Sequence, residues 1–169
     1  MIENIDHKLE SKDKLMKFYT ENKLKLLSFF GLLVIIITTS IILKVNKEKQ
    51  NILVSEKYIK AGLYLSSKKI AQSKALYEEI IFNNNKFYSI LALNSILEEN
   101  LEDDKKKVLE YFKEVEGMNI SKEQKDIVTF KKALFLIKTS SVKEGNSLLK
   151  KLIEKNSKIK SLAKEVIAK

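Results

Sequence analysis

The residues of this sequence that could carry out chemistry are clusters of carboxylates standing beside lysines. The acidic clusters are Glu78-Glu79, Glu98-Glu99 and Glu102-Asp103-Asp104, and each lies near the end of a segment with helical apolar periodicity. Two carboxylates can serve as general acid and base when their surroundings separate the two pKa values. At helix ends, however, acidic side chains commonly offset the helix dipole or simply face water. We therefore predict no catalytic residue and no enzyme activity.

Other catalytic and ligand-binding chemistries need residue types that the sequence lacks. It has no Cys, which excludes disulfides, cysteine zinc ligands and cysteine nucleophiles. Its single histidine, His7, lies in a polar N-terminal segment, so no serine has a histidine to activate it. No glycine-rich loop suits a phosphate group. The sequence therefore predicts no metal, no cofactor and no small-molecule substrate.

The net charge of +10 raises the question of a nucleic-acid partner. All 32 cationic side chains are Lys, and there is no Arg. Nucleic-acid surfaces rely on Arg for two-pronged contacts to phosphates and base edges. A compositional bias toward Lys that leaves a solvated lysine surface is the better explanation of the charge, so no nucleic-acid partner is expected.

One uncharged segment divides the chain. Residues 26–43 carry no charge and are bounded by Lys25 and Lys44. As a helix they would span about 27 Å, close to the ~30 Å hydrocarbon core of a bilayer. The three hydroxyl residues at 38–40 can each donate to a carbonyl of the preceding turn, so they do not forbid insertion. The segment is longer than a signal-peptide core and lacks a small-residue cleavage site, which favours a retained anchor over a cleaved signal.

This segment defines three predicted regions: a polar leader over residues 1–25, a membrane anchor over 26–43 and a soluble domain over 44–169. The alternative to an anchor is the buried helix of a soluble protein, but the rest of the chain offers nothing apolar enough to surround it. The lysines flanking the segment barely decide its orientation. The anchor residues identified are Leu26, Phe29, Phe30, Gly31, Leu33, Ile36, Ile41 and Leu43.

The soluble region shows helical periodicity throughout, and the near absence of turn residues (four Gly, no Pro) predicts an all-α fold. Helices are expected over residues 52–65, 70–82 and 87–100. A fourth should begin at a cap on Asp103 or Asp104 and end at Gly117 as a natural C′ residue. Ser121 and Gln124 form a capping box for a fifth helix that continues to about residue 140, and a sixth and a short seventh complete the chain.

A shift of 40 residues superposes the apolar positions of the third and fourth helices on those of the fifth and sixth. A period of this size made of a helix pair predicts a helical-hairpin repeat, whose pairs bury their apolar faces by stacking. An irregular helical bundle is the alternative. The residues predicted to pack the repeats are Ala75, Leu76, Ile80, Leu93, Leu97, Val108, Phe112, Ala133, Ile137, Leu149 and Leu152.

Residues 70–83 resemble the second helix of a tetratricopeptide repeat, although the proline that usually follows is missing. In that motif, small residues at the positions of Ala71 and Ala75 let the neighbouring helix approach, and the residues matching Tyr77 and Ile80 fill the groove.

The layout as a whole resembles the YfgM-like ancillary subunits of the bacterial Sec translocon. The matching segments are residues 18–22 (FYTEN) before the anchor, the helical run out of the membrane through Lys60-Ala61, and residues 87–93 (FYSILAL). Lys23 stands where that family often has glycine, and the chain ends sooner.

The resemblance implies a non-enzymatic, single-pass protein of the bacterial inner membrane, with a cytosolic N-terminus and a periplasmic tetratricopeptide-like domain. It implies the lipid bilayer and other proteins as partners, among them the Sec translocon and periplasmic chaperones. Two alternatives stay open: a general inner-membrane scaffold for envelope assembly or division, and a lysine-rich module held against anionic lipid.

Overall fold

The protein is described here from a computed structural model, which describes the backbone of residues 3–168 and the side chains of residue 14 and residues 16–168. Met1, Ile2 and Lys169 lie outside the described residues, as does the side chain of His7. Over residues 3–168 the chain forms helices and no strand, which confirms the predicted all-α class. The helices are α1 (Glu3–Ser66), α2 (Ile70–Phe82), α3 (Tyr88–Glu98), α4 (Lys105–Gly117), α5 (Lys122–Lys138), α6 (Val142–Glu154) and α7 (Lys160–Ile167).

The chain divides into two compact units, Met1–Gln50 and Asn51–Lys169. Within the described residues, one helix is long and apolar enough to cross a membrane, and none of the side chains in its apolar window is buried inside the chain. The hydroxyls of Thr38, Thr39 and Ser40 donate to carbonyls three or four residues earlier, at 2.8–3.0 Å. The prediction that these hydroxyls are satisfied within the helix is confirmed. Of the named anchor residues, Leu26 is partly buried and the others are exposed.

The second unit is built around two apolar clusters. The larger one joins the last turns of α1 to α2, α3, α4 and the start of α5, with Ile80, Leu93 and Phe112 almost fully buried. The smaller one lies between α5, α6 and α7 and centres on Leu149 and Leu152. The helices gain their burial by packing apolar residues of successive helices against each other.

Side-chain caps begin two of the helices as the sequence predicts. The carboxylate of Asp104 accepts from the backbone N–H of Lys106 at 2.8 Å, and Asp104 is the N-cap of α4. Ser121 and Gln124 form both hydrogen bonds of a capping box at the start of α5. These contacts satisfy backbone donors that have no partner within the first turn of a helix.

α4 ends at Gly117, as predicted, but Gly117 does not take the left-handed conformation typical of a C′ glycine. Its φ is not positive, and Met118 after it is extended. Among the described residues, five non-glycine residues take the left-handed conformation instead, with φ between 48° and 65°. They follow α1, α2, α3, α5 and α6, and they are Lys68, Asn84, Asn100, Ser140 and Asn156.

A candidate binding groove between two helices

A groove of about 420 Å³ lies between α3 and α5 and falls within the size range of ligand pockets. Its apolar floor includes Leu97 and Phe135, which also pack against the larger core cluster. Leu134 stands beside them with 38% of its surface exposed. The remaining lining comes from these two helices, the loop after α3 and the first turn of α4: Ile96, Glu98, Asn100, Glu102, Asp103, Val108, Lys131, Lys138 and Thr139.

Two lysines of α5 form one rim of the groove and contact the opposite rim. Lys131 forms an ion pair with Glu98 at 3.2 Å, and the ammonium of Lys138 donates to the side-chain oxygen of Asn100 at 2.8 Å. The two lysines stand seven residues apart, so they lie on the same side of α5 with Leu134 between them. Both bridges are at the surface, where a polar contact contributes little to stability and exchanges readily with another ligand.

A buried carboxylate closes the groove at the loop before α4. The side chain of Glu102 is only 6% exposed and forms an ion pair with Lys74 of α2 at 2.7 Å. It also accepts from the backbone N–H of Asp104 at 3.0 Å, and Lys107 lies 3.8 Å away. The hydrogen bond from Lys74 is the main cause that lowers the pKa of Glu102, followed by the bond from Asp104, against an opposing effect of burial. The loop is thereby tied to α2 and α4.

Tyr111 lies beneath this carboxylate and is fully buried. Its hydroxyl donates to Glu102 across 3.5 Å, a long contact. Burial raises the pKa of Tyr111, and the charges of Glu78 and Glu102 raise it further, so the phenol stays protonated. Tyr111 therefore acts as a neutral donor under the loop.

Most of the residues predicted to pack the repeats are buried, three are partly buried, and Ala75 is exposed. Ala71 and Ala75 are exposed on α2, so they are not the place where a neighbouring helix approaches. The fully buried small residues where α1 and α2 meet are Ala61 and Ser73, and the hydroxyl of Ser73 donates to the carbonyl of Ala61. In the rest of that set, Leu76, Leu97 and Ile137 are partly buried against the two clusters, and the buried members are Ile80, Leu93, Val108, Phe112, Ala133, Leu149 and Leu152.

The acidic clusters form several ion pairs, and Glu78 and Glu102, from two different clusters, share Lys107 at 3.9 Å and 3.8 Å. Glu79 pairs with Lys57, Glu98 with Lys131, and Glu102 with Lys74. The groove was not predicted from the sequence. No local pattern indicates which apolar residues of α3 and α5 remain exposed after the helices pack.

No family model, no curated protein and no solved structure matches the chain. The chain's own residues form a recess with an apolar floor and a rim of charged surface contacts, which suits an apolar side chain and the polar backbone around it.

Proposed function

We propose that this protein is a non-enzymatic, membrane-anchored scaffold that binds other polypeptides in the groove between α3 and α5. The observation that carries the proposal is the groove itself. Leu97, Leu134 and Phe135 are open to a side chain of a partner, and Lys131 and Lys138 can exchange their surface contacts for polar groups of that partner. Binding of this kind needs no catalytic group.

Two further observations support a helical-hairpin, tetratricopeptide-like repeat in the second unit. Most apolar residues related by the 40-residue shift share their burial, as at Ile96 and Leu136, whereas Val108 differs from Leu148 and Leu109 from Leu149. The left-handed residues that follow α3 and α5, Asn100 and Ser140, are related by the same shift. In such a repeat α3 and α5 are the first helices of successive pairs, and the space between them is open to a partner.

The proposed location is the bacterial inner membrane, with residues 1–25 in the cytosol and 44–169 in the periplasm. The apolar stretch of α1 supports attachment to a membrane, and the resemblance to YfgM-like subunits supports the direction and the partners, namely the Sec translocon and periplasmic chaperones. A membrane anchor holds the groove at high local concentration near other membrane-bound proteins, so a weak contact suffices.

Site-specific photocrosslinking in membranes tests the groove. A photoreactive residue replaces Leu134 in the groove, and the matched control replaces Leu162, an exposed leucine of α7. We expect protein adducts at position 134 and few at position 162, with mass spectrometry identifying the partner. Adding Lys138→Glu should reduce the adducts several-fold, because it reverses one charge of the rim.

Three results would contradict the proposal: equal adducts at both positions, adducts to lipid alone, or no adducts. Adducts confined to position 134 that contain neither translocon nor chaperone subunits would retain the scaffold and reject those partners.

A further inference from the structure

We propose that helices α5, α6 and α7 turn as one body about a hinge at the start of α5, and that this motion widens the groove between α3 and α5. The hinge itself depends only on how the second unit packs. Its consequence for binding rests on the proposed function, because the partner is assigned to the same groove. Lysine contacts at the far end of α5 hold the groove in its closed form.

Helices α5, α6 and α7 are joined to one another at both ends of α5. A Cβ at Gly145 of α6 would lie 2.6 Å from Ile137 near the end of α5, so these two helices are in close contact. Near the start of α5, the carboxylate of Asp126 accepts from the buried hydroxyl of Ser157, which lies between α6 and α7. The smaller apolar cluster joins the same three helices. They therefore move together.

The start of α5 is held by apolar packing. Met118 and Ile120, in the connection from α4, are buried in the larger cluster, and so is Val128 in the second turn of α5. Lys132, one turn further on, pairs with Glu116 of α4 at 2.7 Å. Because buried apolar residues hold a helix more firmly than surface polar contacts do, this end of α5 is the hinge.

The far half of α5 is packed less completely. Leu97 of α3 and Leu134 and Phe135 of α5 leave a recess of about 420 Å³ between the two helices. Protein interiors are close-packed, so such a gap forfeits contacts that would otherwise hold neighbouring helices together. The ring of Phe135 does lie against Phe112 of α4, at 6.0 Å between centroids, and the motion must loosen that contact. Polar contacts supply further attachment at this end.

Two polar contacts cross the groove. They are the Lys131–Glu98 ion pair at 3.2 Å and the hydrogen bond from Lys138 to Asn100 at 2.8 Å. Glu98, Asn100 and Lys138 are exposed, and Lys131 is partly buried. Contacts of this kind contribute little each, so they break readily when α5 moves.

Lys105 attaches the end of α5 from outside the groove. It is the first residue of α4, and its ammonium donates to the backbone carbonyl of Thr139 at 3.2 Å and to the hydroxyl of Ser141. Its positive charge also offsets the partial negative charge at the C-terminal end of α5. Because Lys105 does not line the groove, its removal loosens α5 and leaves the groove lining unchanged.

Thiol labelling of the full-length chain tests the hinge, and the sequence has no natural Cys to interfere. Ile96→Cys and Leu93→Cys each place a thiol on α3 at a position that is 1% exposed, but only Ile96 lines the groove. Labelling by N-ethylmaleimide therefore needs opening of the groove at position 96 and unfolding of the larger cluster at position 93. We expect position 96 to label faster by about tenfold or more, because local opening costs less than unfolding.

Two further substitutions identify which contacts break on opening. Lys105→Met should raise the labelling rate at position 96 by about tenfold, because it removes a partly buried hydrogen bond from a charged group that holds the groove closed. Ser73→Ala removes a contact between α1 and α2 that the motion leaves intact, so it should raise the rate about fivefold at position 93 and leave it unchanged at position 96.

Three results would overturn the hinge. They are equal rates at positions 93 and 96 in the parent chain, an unchanged rate at position 96 in Lys105→Met, and a rate at position 96 that rises with Ser73→Ala as much as the rate at position 93.

Photocrosslinking at position 134 separates the hinge from the proposed function. If the partner binds the open groove, Lys105→Met should raise the yield of protein adducts several-fold, because it enlarges the population that can bind. Adducts that do not respond to Lys105→Met would overturn the regulation of binding and retain the scaffold. The expected labelling pattern without adducts in either background would retain the hinge and reject the groove as a polypeptide site.

Discussion

The hydroxyl of Ser73 in α2 donates a 2.9 Å hydrogen bond to the backbone carbonyl of Ala61 in α1, and both residues are fully buried. Only small side chains allow two helix backbones to come this close. The polar atom of Ser73 has its partner, so its burial carries no penalty of an unsatisfied group. This contact fixes the packing of α2 against the last turns of α1.

Enlarging Ser73 should therefore separate the two helices. We expect Ser73→Leu to lower the free energy of unfolding by about 2–3 kcal/mol through overpacking, and Ser73→Ala by about 1 kcal/mol through the lost hydrogen bond. Urea unfolding of the full-length chain in detergent, followed by circular dichroism, measures both. Ala75→Leu, two residues away and exposed, is the control and should stay within about 0.5 kcal/mol. A comparable loss for Ala75→Leu would place the close approach elsewhere on α2.

Two glycines should respond to alanine in opposite directions. A Cβ at Gly145 of α6 would lie 2.6 Å from Ile137 and 2.7 Å from the carbonyl oxygen of Ala133, so α5 and α6 would have to move apart. We expect Gly145→Ala to be destabilising by about 1–3 kcal/mol. At Gly117 no atom lies within 4 Å of the added carbon and φ is not positive, so Gly117→Ala should be stabilising by about 0.4–1 kcal/mol. The same urea series measures both, and a stabilised Gly145→Ala would contradict the packing of these helices.

Glu102 should make stability depend on pH in the acid range. Its pKa in the folded chain lies below the ordinary value of 4.5, chiefly because Lys74 donates to it, so the folded state binds its proton less readily than the unfolded state. The stabilisation is therefore complete above the unfolded pKa and is lost as the pH falls through the lowered folded value.

Glu102→Gln tests this dependence. At pH 7 it should be destabilising by about 1–3 kcal/mol, since it leaves the ammonium of Lys74 without its carboxylate. The difference from the parent should begin to shrink below pH 4.5, where the unfolded chain takes up the proton first, and should be lost below the lowered pKa of the folded state. Glu98→Gln, at an exposed ion pair, is the control. A difference that stays constant from pH 7 to pH 3 would show that the charge of Glu102 is not the cause.

Local signals in the sequence predicted the helices well, because each depends on a few neighbouring residues. The caps at Asp104 and Ser121 and the bounds of α2 follow from side chains adjacent in the chain. The left-handed conformations of Lys68 and Ser140 were not predicted, since neither residue type favours a positive φ. Gly117 is the converse case: a residue that permits a positive φ does not require one.

Tertiary features were harder to predict for a similar reason. Apolar periodicity marks which side of a helix turns inward, so Leu93 and Leu149 were correctly placed among buried residues. Apolar periodicity does not reveal which helices pack against each other. The close approach of a neighbouring helix to α2 was predicted at Ala75 but occurs at Ser73. The groove and the ion pair of Glu102 with Lys74 both depend on residues far apart in the chain, and no pattern of one sequence encodes their distance.

Substitution of a buried leucine should distinguish core from surface within one turn of α6. Leu149 is fully buried, whereas its neighbour Lys150 is exposed. We expect Leu149→Asp to lower the free energy of unfolding by several kcal/mol, because it places an unpaired carboxylate in the smaller cluster. Lys150→Gln should stay within about 0.5 kcal/mol. Thermal unfolding of the full-length chain compares them, and similar melting of both variants would contradict the orientation of α6.

The apolar stretch of α1 should anchor the full-length chain in a membrane. Residues 26–43 are uncharged, and their hydroxyls at 38–40 are satisfied within the helix, so no polar group opposes insertion. We expect the chain to resist extraction by alkaline carbonate at its full length of 169 residues. Ile36→Lys, near the middle of the stretch, should weaken insertion by about 3 kcal/mol on the scale of membrane-insertion experiments. Lys47→Gln, beyond the stretch, is the control.

The state of the recovered chain separates an anchor from the other two possibilities for such a helix. A shortened chain that has lost the stretch would identify a cleaved signal sequence, and release of the intact chain into the soluble fraction would identify a helix buried within a soluble assembly. Alkaline phosphatase fused after the last residue then gives the direction. Activity of the fusion places the second unit in the periplasm, as we propose, whereas an inactive fusion together with a fluorescent cytosolic reporter at the same position would place it in the cytosol and exclude periplasmic chaperones as its partners.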